Sequence, residues 1–387
     1  MKKLADLDLR GKTVVIRQDL NVPMKEGKIT NDKRIRAALP TIKLALEKGA
    51  GVIVLSHLGR PTEGVFAEEF SLKPIAAHLS KELGLDVRVA QKLEDAKVAA
   101  GECMLLENIR FFKGEKKNDA DLAEKLAHLG DVYVMDAFGT AHRAQASTEG
   151  AVRKAAIACA GPLMSNEVEA FAKVLKNPDR PLAAIIGGAK VSTKLGVLTN
   201  LLDKVNILIV GGGIANTFLA AQGYNVGKSL YEPDLVAEAK KIMDLAKERN
   251  VSLPLPCDVV TAKALETGVA TNVCAVSAIP GEEMILDIGP KTEALYAQTL
   301  QAAKTVVWNG PMGAFEVEPF HKGTVALAQA LANSGAFVVV GGGDSVACVE
   351  KYGLAEKMGY ISTGGGASLE LLEGKVLPAI AALEDRS

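Results

Sequence analysis

The sequence comprises 387 residues, 48% hydrophobic, and its 45 Lys and Arg nearly balance 46 Asp and Glu. Such a length is more than one hydrophobic core usually serves, so two domains are expected. The near-zero net charge excludes a broadly basic face, and with it nucleic acid or an anionic membrane surface as the main partner.

The chain opens on MKKLADLDLR, two lysines with no apolar stretch behind them. This is not a signal-peptide pattern, and no apolar run reaches membrane-spanning length, so a cytoplasmic protein is expected. Short apolar runs then alternate with segments of helical period. In the first half the runs cover 13–17, 51–55, 87–90, 103–107 and 132–137. Apolar runs without strict alternation suit strands buried on both faces, with the helical segments as crossovers. From Ser165 a helix is expected, because Val168, Phe171, Ala172 and Leu175 share one face, and the breaker NPDRP at 177–181 ends it. This segment reads either as a helix and hinge joining two domains or as an ordinary crossover within one large sheet. Apolar runs resume at 182–186, 207–210, 284–288, 305–308, 337–340 and 360–362. The rhythm predicts an α/β protein of two doubly wound parallel-sheet domains, Rossmann-like in outline. The expected division is 1–165, a joining helix at 166–180, a second domain at 181–370 and a C-terminal segment at 371–387. Five cysteines, at 103, 159, 257, 274 and 348, form no C-x-x-C pair and read as buried free thiols.

Ligands of open parallel sheets sit at the carboxyl ends of the strands. In the first half those ends carry Arg17, Asp19 and Asn21, then His57 and Arg60, then Arg110, then Asp136, His142 and Arg143, with Arg34 in the segment after the first motif. Guanidinium groups bind phosphate and carboxylate through paired, charge-assisted hydrogen bonds. Together these residues describe a cage for a small anion, with Asp19 and Asn21 suited to a hydroxyl beside it. Taken singly, each arginine also fits a surface ion pair, and His57 a structural role. A metal site at His57, Asp136 and His142 lacks the usual ligand spacing.

In the second half, three apolar runs end in glycine clusters, ILIVGGG, FVVVGGGDS and YISTGGGAS. A strand, a glycine turn and a helix start bring backbone N–H groups and partial positive charge to an anion. GYNVGKS at 223–229 has too few residues between its glycines for a phosphate-binding P-loop, and both GGG turns at 211 and 341 lack the third glycine of a dinucleotide fingerprint. Lys190 and Lys194 lie four apart at a helix start and share a face. Asp344 follows a glycine turn where it can hold Mg²⁺ on phosphates. Glu316 ends the loop WNGPMGAFE and suits a ribose. The bland alternatives are a solvated acid for Glu316 and an exposed helix face for the two lysines.

RQDLNVP at 17–23, SHLGRP at 56–61, LENIRF at 106–111, DAFGTAHRAQAS at 136–147, GGAKVSTK at 187–194, GGGIANTF at 211–218, WNGPMGAFE at 308–316, GGGDS at 341–345 and STGGGA at 362–367 together resemble the phosphoglycerate kinase family, collinearly from about residue 6 to 380. Gln18, Met312 and Ser345 are small departures, Ser345 standing where Thr is common. The resemblance implies reversible phosphoryl transfer from 1,3-bisphosphoglycerate to MgADP, giving 3-phosphoglycerate and MgATP, by a monomer whose C-terminal segment returns to the first domain. It implies that Asp19 and Asn21 hold the hydroxyl and carboxyl end of the acid. His57, Arg60, Arg110 and Arg143 would grip the phosphate that stays, while Arg34 and Lys190 approach the group in flight. Lys194, Gly342, Gly343 and Ser345 would meet the nucleotide phosphates. Gly211, Gly212, Gly213, Asn309 and Glu316 would form the adenosine site, with Asp344 on Mg²⁺. Backbone N–H groups around Gly365 and Gly366 would offset charge on the transferred group. The attacking carboxylate is ionised at neutral pH, so no general base is required. Alternatives from other classes are a nucleotide-dependent ligase or oxidoreductase, and a non-enzymatic binding protein on the same scaffold.

Overall fold

A run such as GVIVL can satisfy its backbone and bury both faces only inside a parallel sheet. That is where the computed structural model, which describes residues 1–387, puts it. The chain divides into two units, Met1–Glu169 with Val376–Ser387, and Ala170–Lys375.

The first unit contains β1 (Thr13–Arg17), a short hairpin of β2 (Met24–Lys25) and β3 (Lys28–Ile29), β4 (Gly51–Leu55), β5 (Arg88–Ala90), β6 (Cys103–Leu106), β7 (Val132–Met135) and β8 (Ile157–Ala160). Its helices are α1 (Lys33–Glu47), α2 (Lys73–Leu83), α3 (Ala120–Ala127) and α4 (Ala151–Lys154), and α5 (Pro162–Leu175) begins in it. Six strands form one parallel sheet in the order β5-β6-β4-β1-β7-β8. From β1 the chain winds one way to β4 and later the other way to β7. The carboxyl end of β1, with Arg17 as its last residue, is therefore the switch point where such sheets open a crevice.

The second unit contains β9 (Leu182–Gly188), β10 (Ile207–Gly212), β11 (Asp258–Ala262), β12 (Thr271–Ala275), β13 (Met284–Ile288), β14 (Thr305–Asn309), β15 (Phe337–Gly341) and β16 (Tyr360–Ile361). Its helices are α6 (Val191–Leu202), α7 (Gly213–Ala221), α8 (Val236–Glu248), α9 (Pro290–Leu300), α10 (Lys322–Asn333), α11 (Gly343–Lys351) and α12 (Gly365–Leu372). The parallel sheet runs β10-β9-β14-β15-β16, so its switch point lies between β9 and β14. Trp308 and the β9 residues Ala183 and Ile185 are fully buried in its core. The last helix, α13 (Pro378–Asp385), belongs to the first unit, where Ala379 N–H donates to Ala141 O at 3.1 Å. No helix is long and apolar enough to cross a membrane.

Four expectations need correction. The run at 284–288 is not in the parallel sheet: β13 pairs antiparallel with β11, which pairs antiparallel with β12. Neither β11 nor β12 carries a long apolar run, and β12 is mostly exposed, so its sequence lacks the signature of burial. β8, with the sequence IACA, is too poor in large apolar residues to stand out, yet it closes one edge of the first sheet. The joining helix starts at Pro162, not Ser165. Proline at the first helical position has its φ preset, and the Asp136 carboxylate accepts from Met164 N–H at 3.2 Å. Cys257 is exposed and Cys274 half-buried, because both lie about this small outer sheet rather than in a parallel core.

Candidate active site

At the first switch point β1 delivers a charged residue into a buried place. Arg17 is 1% exposed, and its guanidinium donates to Ser147 Oγ at 2.8 Å, to Gln18 O, and to His57 Nδ1 at 3.3 Å. His57 lies two residues beyond the end of β4. Burial above all, then the charges of Arg17, Arg110, Arg143 and Arg34, push its pKa down to about 2, so it stays neutral at any working pH. Arg110 is 5% exposed, donates from Nη1 to Gly59 O at 2.6 Å, and keeps Nε buried without a protein acceptor. Burial, then Arg143 and Arg17, lower its pKa to about 10, with Arg60 adding to the effect. A buried donor on a cation with no carboxylate of its own is costly unless an anion arrives. Arg34, from the first turn of α1, donates to Asp19 Oδ1 at 3.2 Å and to Asn21 O at 2.9 Å. Asn21 Oδ1 in turn accepts from Gly59 N–H at 2.9 Å, tying the first motif to the SHLGRP loop. Asp19, Asn21, Arg34, His57, Arg60, Arg110 and Arg143 thus come together in the first unit, with Arg34, Arg60 and Arg143 exposed at its surface.

Sequence reasoning placed Arg17 at a strand end without a contact of its own and passed over Glu115 and Ser147. The available signal was a charged residue closing an otherwise apolar strand, TVVIR. Glu115 has no such signal, because its chain neighbours are the polar residues of a loop.

In the second unit the decisive contrast is among helix N-termini, which leave backbone N–H groups without partners. Several helix N-termini, in the first unit as well as the second, are filled by buried carboxylates from elsewhere. Glu107 accepts from Leu72 N–H (2.8 Å) before α2, Asp258 from Thr292 N–H (2.8 Å) in α9, and Asp287 from Gly323 N–H (2.8 Å) in α10. At α6, Glu232 accepts from Ser192 N–H at 3.2 Å. By contrast α7, α11 and α12 begin at Gly212, Gly342 and Gly364 with no side-chain cap. Gly212 (φ 66°) and Gly342 (φ 86°) occupy left-handed backbone that other residues resist. These are the three glycine clusters of the sequence.

Beside the first two lies a cavity of about 330 Å³ lined by Gly212, Gly213, Leu230, Leu286, Met312, Glu316 and Asp344 among others. Its lining is mostly apolar with a few acids at the rim, which suits a flat base beside polar sugar and phosphate groups. Lys194 Nζ donates to Asn309 Oδ1 at 2.8 Å, and burial lowers the lysine's pKa. Asn309 is 3% exposed with Nδ2 unpartnered, a second buried donor in want of an acceptor. Burial first, then Glu316, raise the pKa of Asp344, so a divalent cation there relieves both effects. Lys190 is the residue immediately before α6, and Gly343 and Gly365 have open space where a side chain would stand. Of the sequence candidates for this site, Gly212, Gly213, Glu316 and Asp344 line the cavity, Lys194, Asn309, Gly342 and Gly343 lie outside its lining, and two more are packed away from it. Gly211 is packed under Met312, and Ser345 is fully buried with Oγ accepting from Gly310 N–H at 2.7 Å. Both hold the 310–316 loop in place.

A family model described as phosphoglycerate kinase matches residues 4–375. A phosphoglycerate kinase of Desulfovibrio desulfuricans is 71% identical over 385 residues, covering 100% of this chain and 99% of that protein. One of Nitratidesulfovibrio vulgaris is 56% identical, covering 100% and 98%. The solved phosphoglycerate kinase of Coxiella burnetii is similar with a TM-score of 0.96 at 54% identity, covering 99% of each chain. That of Pyrococcus horikoshii gives 0.84 at 34% identity over 100% of each. With cationic side chains gathered at the switch point of one sheet, uncapped glycine turns after three strands of the other, and likeness along the whole length, the chain belongs to the phosphoglycerate kinase family.

Proposed function

We infer that the protein catalyses reversible phosphoryl transfer between 1,3-bisphosphoglycerate and MgADP, giving 3-phosphoglycerate and MgATP, as a phosphotransferase of glycolysis. The observation that carries this reading is the pair of buried, unpartnered donors, Arg110 Nε in one unit and Asn309 Nδ2 in the other, each set among cations. A coupled assay tests it: ATP consumption must depend on added 3-phosphoglycerate. Consumption without the acid, or none with it, overturns the reading.

In this proposal the first unit binds the three-carbon acid. Asp19 and Asn21 hold its hydroxyl and carboxyl end, and His57, Arg60, Arg110 and Arg143 hold the phosphate that stays. The second unit binds the nucleotide, with Gly212, Gly213 and Glu316 at adenosine and Lys194, Asn309, Gly342 and Gly343 toward the phosphates. Gly211 and Ser345 serve by packing the loop. Mg²⁺ arrives with the nucleotide as part of the substrate, and Asp344 is its protein ligand. The acceptor carboxylate is already ionised, so the protein moves no proton. Its task is to align the reactants and to stabilise charge on the transferred group, which falls to Arg34, Lys190 and the N–H groups of Gly365 and Gly366.

Ligands held by separate units must approach for direct transfer, and α5, shared by both, is the proposed hinge. Small-angle scattering should give a smaller radius of gyration with both ligands than with either alone; identical curves count against it. A cytoplasmic monomer completes the proposal, and sedimentation at working concentration checks the monomer.

A further inference from the structure

Behind His57 lies a chain of buried groups for which the reaction as described has no use. Glu115 and Ser147 have no exposed surface, and Arg17 and His57 have 1% and 4%. Ser147 belongs to a helical turn over Ala146–Gly150, and Tyr133 from β7 anchors it by donating to Ser147 O. Ser147 Oγ lies 2.6 Å from Glu115 Oε1 and 2.8 Å from Arg17 Nε, and Ser147 N–H donates to both oxygens of Glu115 at 3.2 Å.

The donor and acceptor roles along this chain are forced. A guanidinium has donors only. Arg17 Nε therefore donates to Ser147 Oγ, and the serine proton goes to Glu115. Arg17 Nη2 likewise donates to His57 Nδ1, which must be an acceptor and carry no proton. In a neutral imidazole the proton then resides on Nε2. The other charges around His57 are Arg110, Arg143 and Arg34, all cationic, and none supplies an acceptor that would favour the opposite tautomer.

We propose that Glu115, Ser147 and Arg17 form a buried relay that fixes His57 in the Nε2–H tautomer, so that His57 meets the retained phosphate of the three-carbon acid as a hydrogen-bond donor of set direction. The three are positioning residues, acting through one another on a group that touches substrate. The proposal rests on the reading of His57 as a ligand of the acid. Neutrality is part of the device: in a site crowded with guanidinium groups a donor without charge adds direction without further repulsion in the empty enzyme.

Long-range proton–nitrogen NMR spectra of the full chain read the tautomer directly. The wild-type spectrum should show Nδ1 unprotonated and Nε2 protonated. Ser147→Ala cuts the relay, and Glu115→Gln removes its charge while keeping its volume. Either variant, shown folded by circular dichroism, releases Arg17 Nε from its anchor, lets the guanidinium turn away from His57 Nδ1, and should give mixed tautomers. The KM for 3-phosphoglycerate should rise about tenfold, as for loss of one oriented hydrogen bond, with the KM for ATP unchanged. Ser147→Thr, which keeps the hydroxyl, should retain the wild-type tautomer. A protonated Nδ1 in the wild-type spectrum overturns the relay, and this outcome needs no variant to fold. An unchanged spectrum in folded Ser147→Ala overturns it as well. A shifted tautomer with unchanged KM for the acid overturns the substrate half, and with it the role of His57 as ligand, while the coupled assay judges the kinase activity separately.

Discussion

Arg110 keeps a guanidinium where only 5% of its surface reaches water and leaves Nε without an acceptor. An unpaired buried cation weakens the empty protein, and under the proposed function, where the missing partner is the substrate anion, it strengthens the complex. Arg110→Met should therefore leave the melting temperature unchanged or raise it. The lost charge-assisted hydrogen bonds, about 1.5–3 kcal/mol, should raise the KM for 3-phosphoglycerate roughly 10–100-fold. A variant that melts lower and binds normally would contradict this. Asp136 shows the opposite balance. It accepts from Thr41 Oγ at 2.5 Å and from Met164 N–H at 3.2 Å, yet burial outweighs these bonds and lifts its pKa to about 6. The unfolded chain then releases this proton first, near the ordinary aspartate value of 3.8. Over that window the folded state holds more protons, so stability falls as pH rises and the penalty persists above about pH 6. Asp136→Asn removes the titration. Urea unfolding should show its stability gaining on wild type by about 3 kcal/mol across the window, and parallel pH profiles would refute the assignment.

Among the elements, the helix N-termini differ in whether a carboxylate already occupies their free N–H groups. Carboxylates do so at α9 and α10, and those helices serve packing. Glycine turns precede α7 and α11, and these face the cavity proposed for the nucleotide. At Gly342 the positive φ and the neighbouring Asn309 Oδ1, 3.2 Å from where a Cβ would stand, both resist a side chain. Gly342→Ala should weaken ADP binding by about 1–2 kcal/mol, or roughly tenfold, through the strained turn. Calorimetric titration should find 3-phosphoglycerate binding unaffected; equal losses for both ligands would point to general unfolding.

For the molecule as a whole, the chain's last residues complete its first unit. Leu377, Ala379, Ile380, Ala382 and Leu383 are buried there, and Arg153 Nη1 reaches Asp385 at 2.7 Å. Each large apolar side chain is worth about 1.5–3 kcal/mol on burial, so three of them rival the stability of an ordinary domain. Deleting residues 376–387 should remove or sharply lower one calorimetric transition, that of the first unit, and leave the second. An unchanged thermogram would show that the segment is dispensable.

Local sequence determined most strands of the two parallel sheets and the glycine turns, because a wholly apolar run and a positive-φ position are demands that neighbouring residues reveal. It also determined which arginines crowd one place, since parallel sheets gather the residues at their strand ends. Only the tertiary structure decided what lies behind and between them. Glu115 reaches Ser147 across 32 positions, Asp258 caps a helix 34 positions on, and the small antiparallel sheet joins strands with little apolar pattern. Burial of a charge, and the partner that makes it tolerable, are properties of a place in space, and no short stretch of chain encodes them.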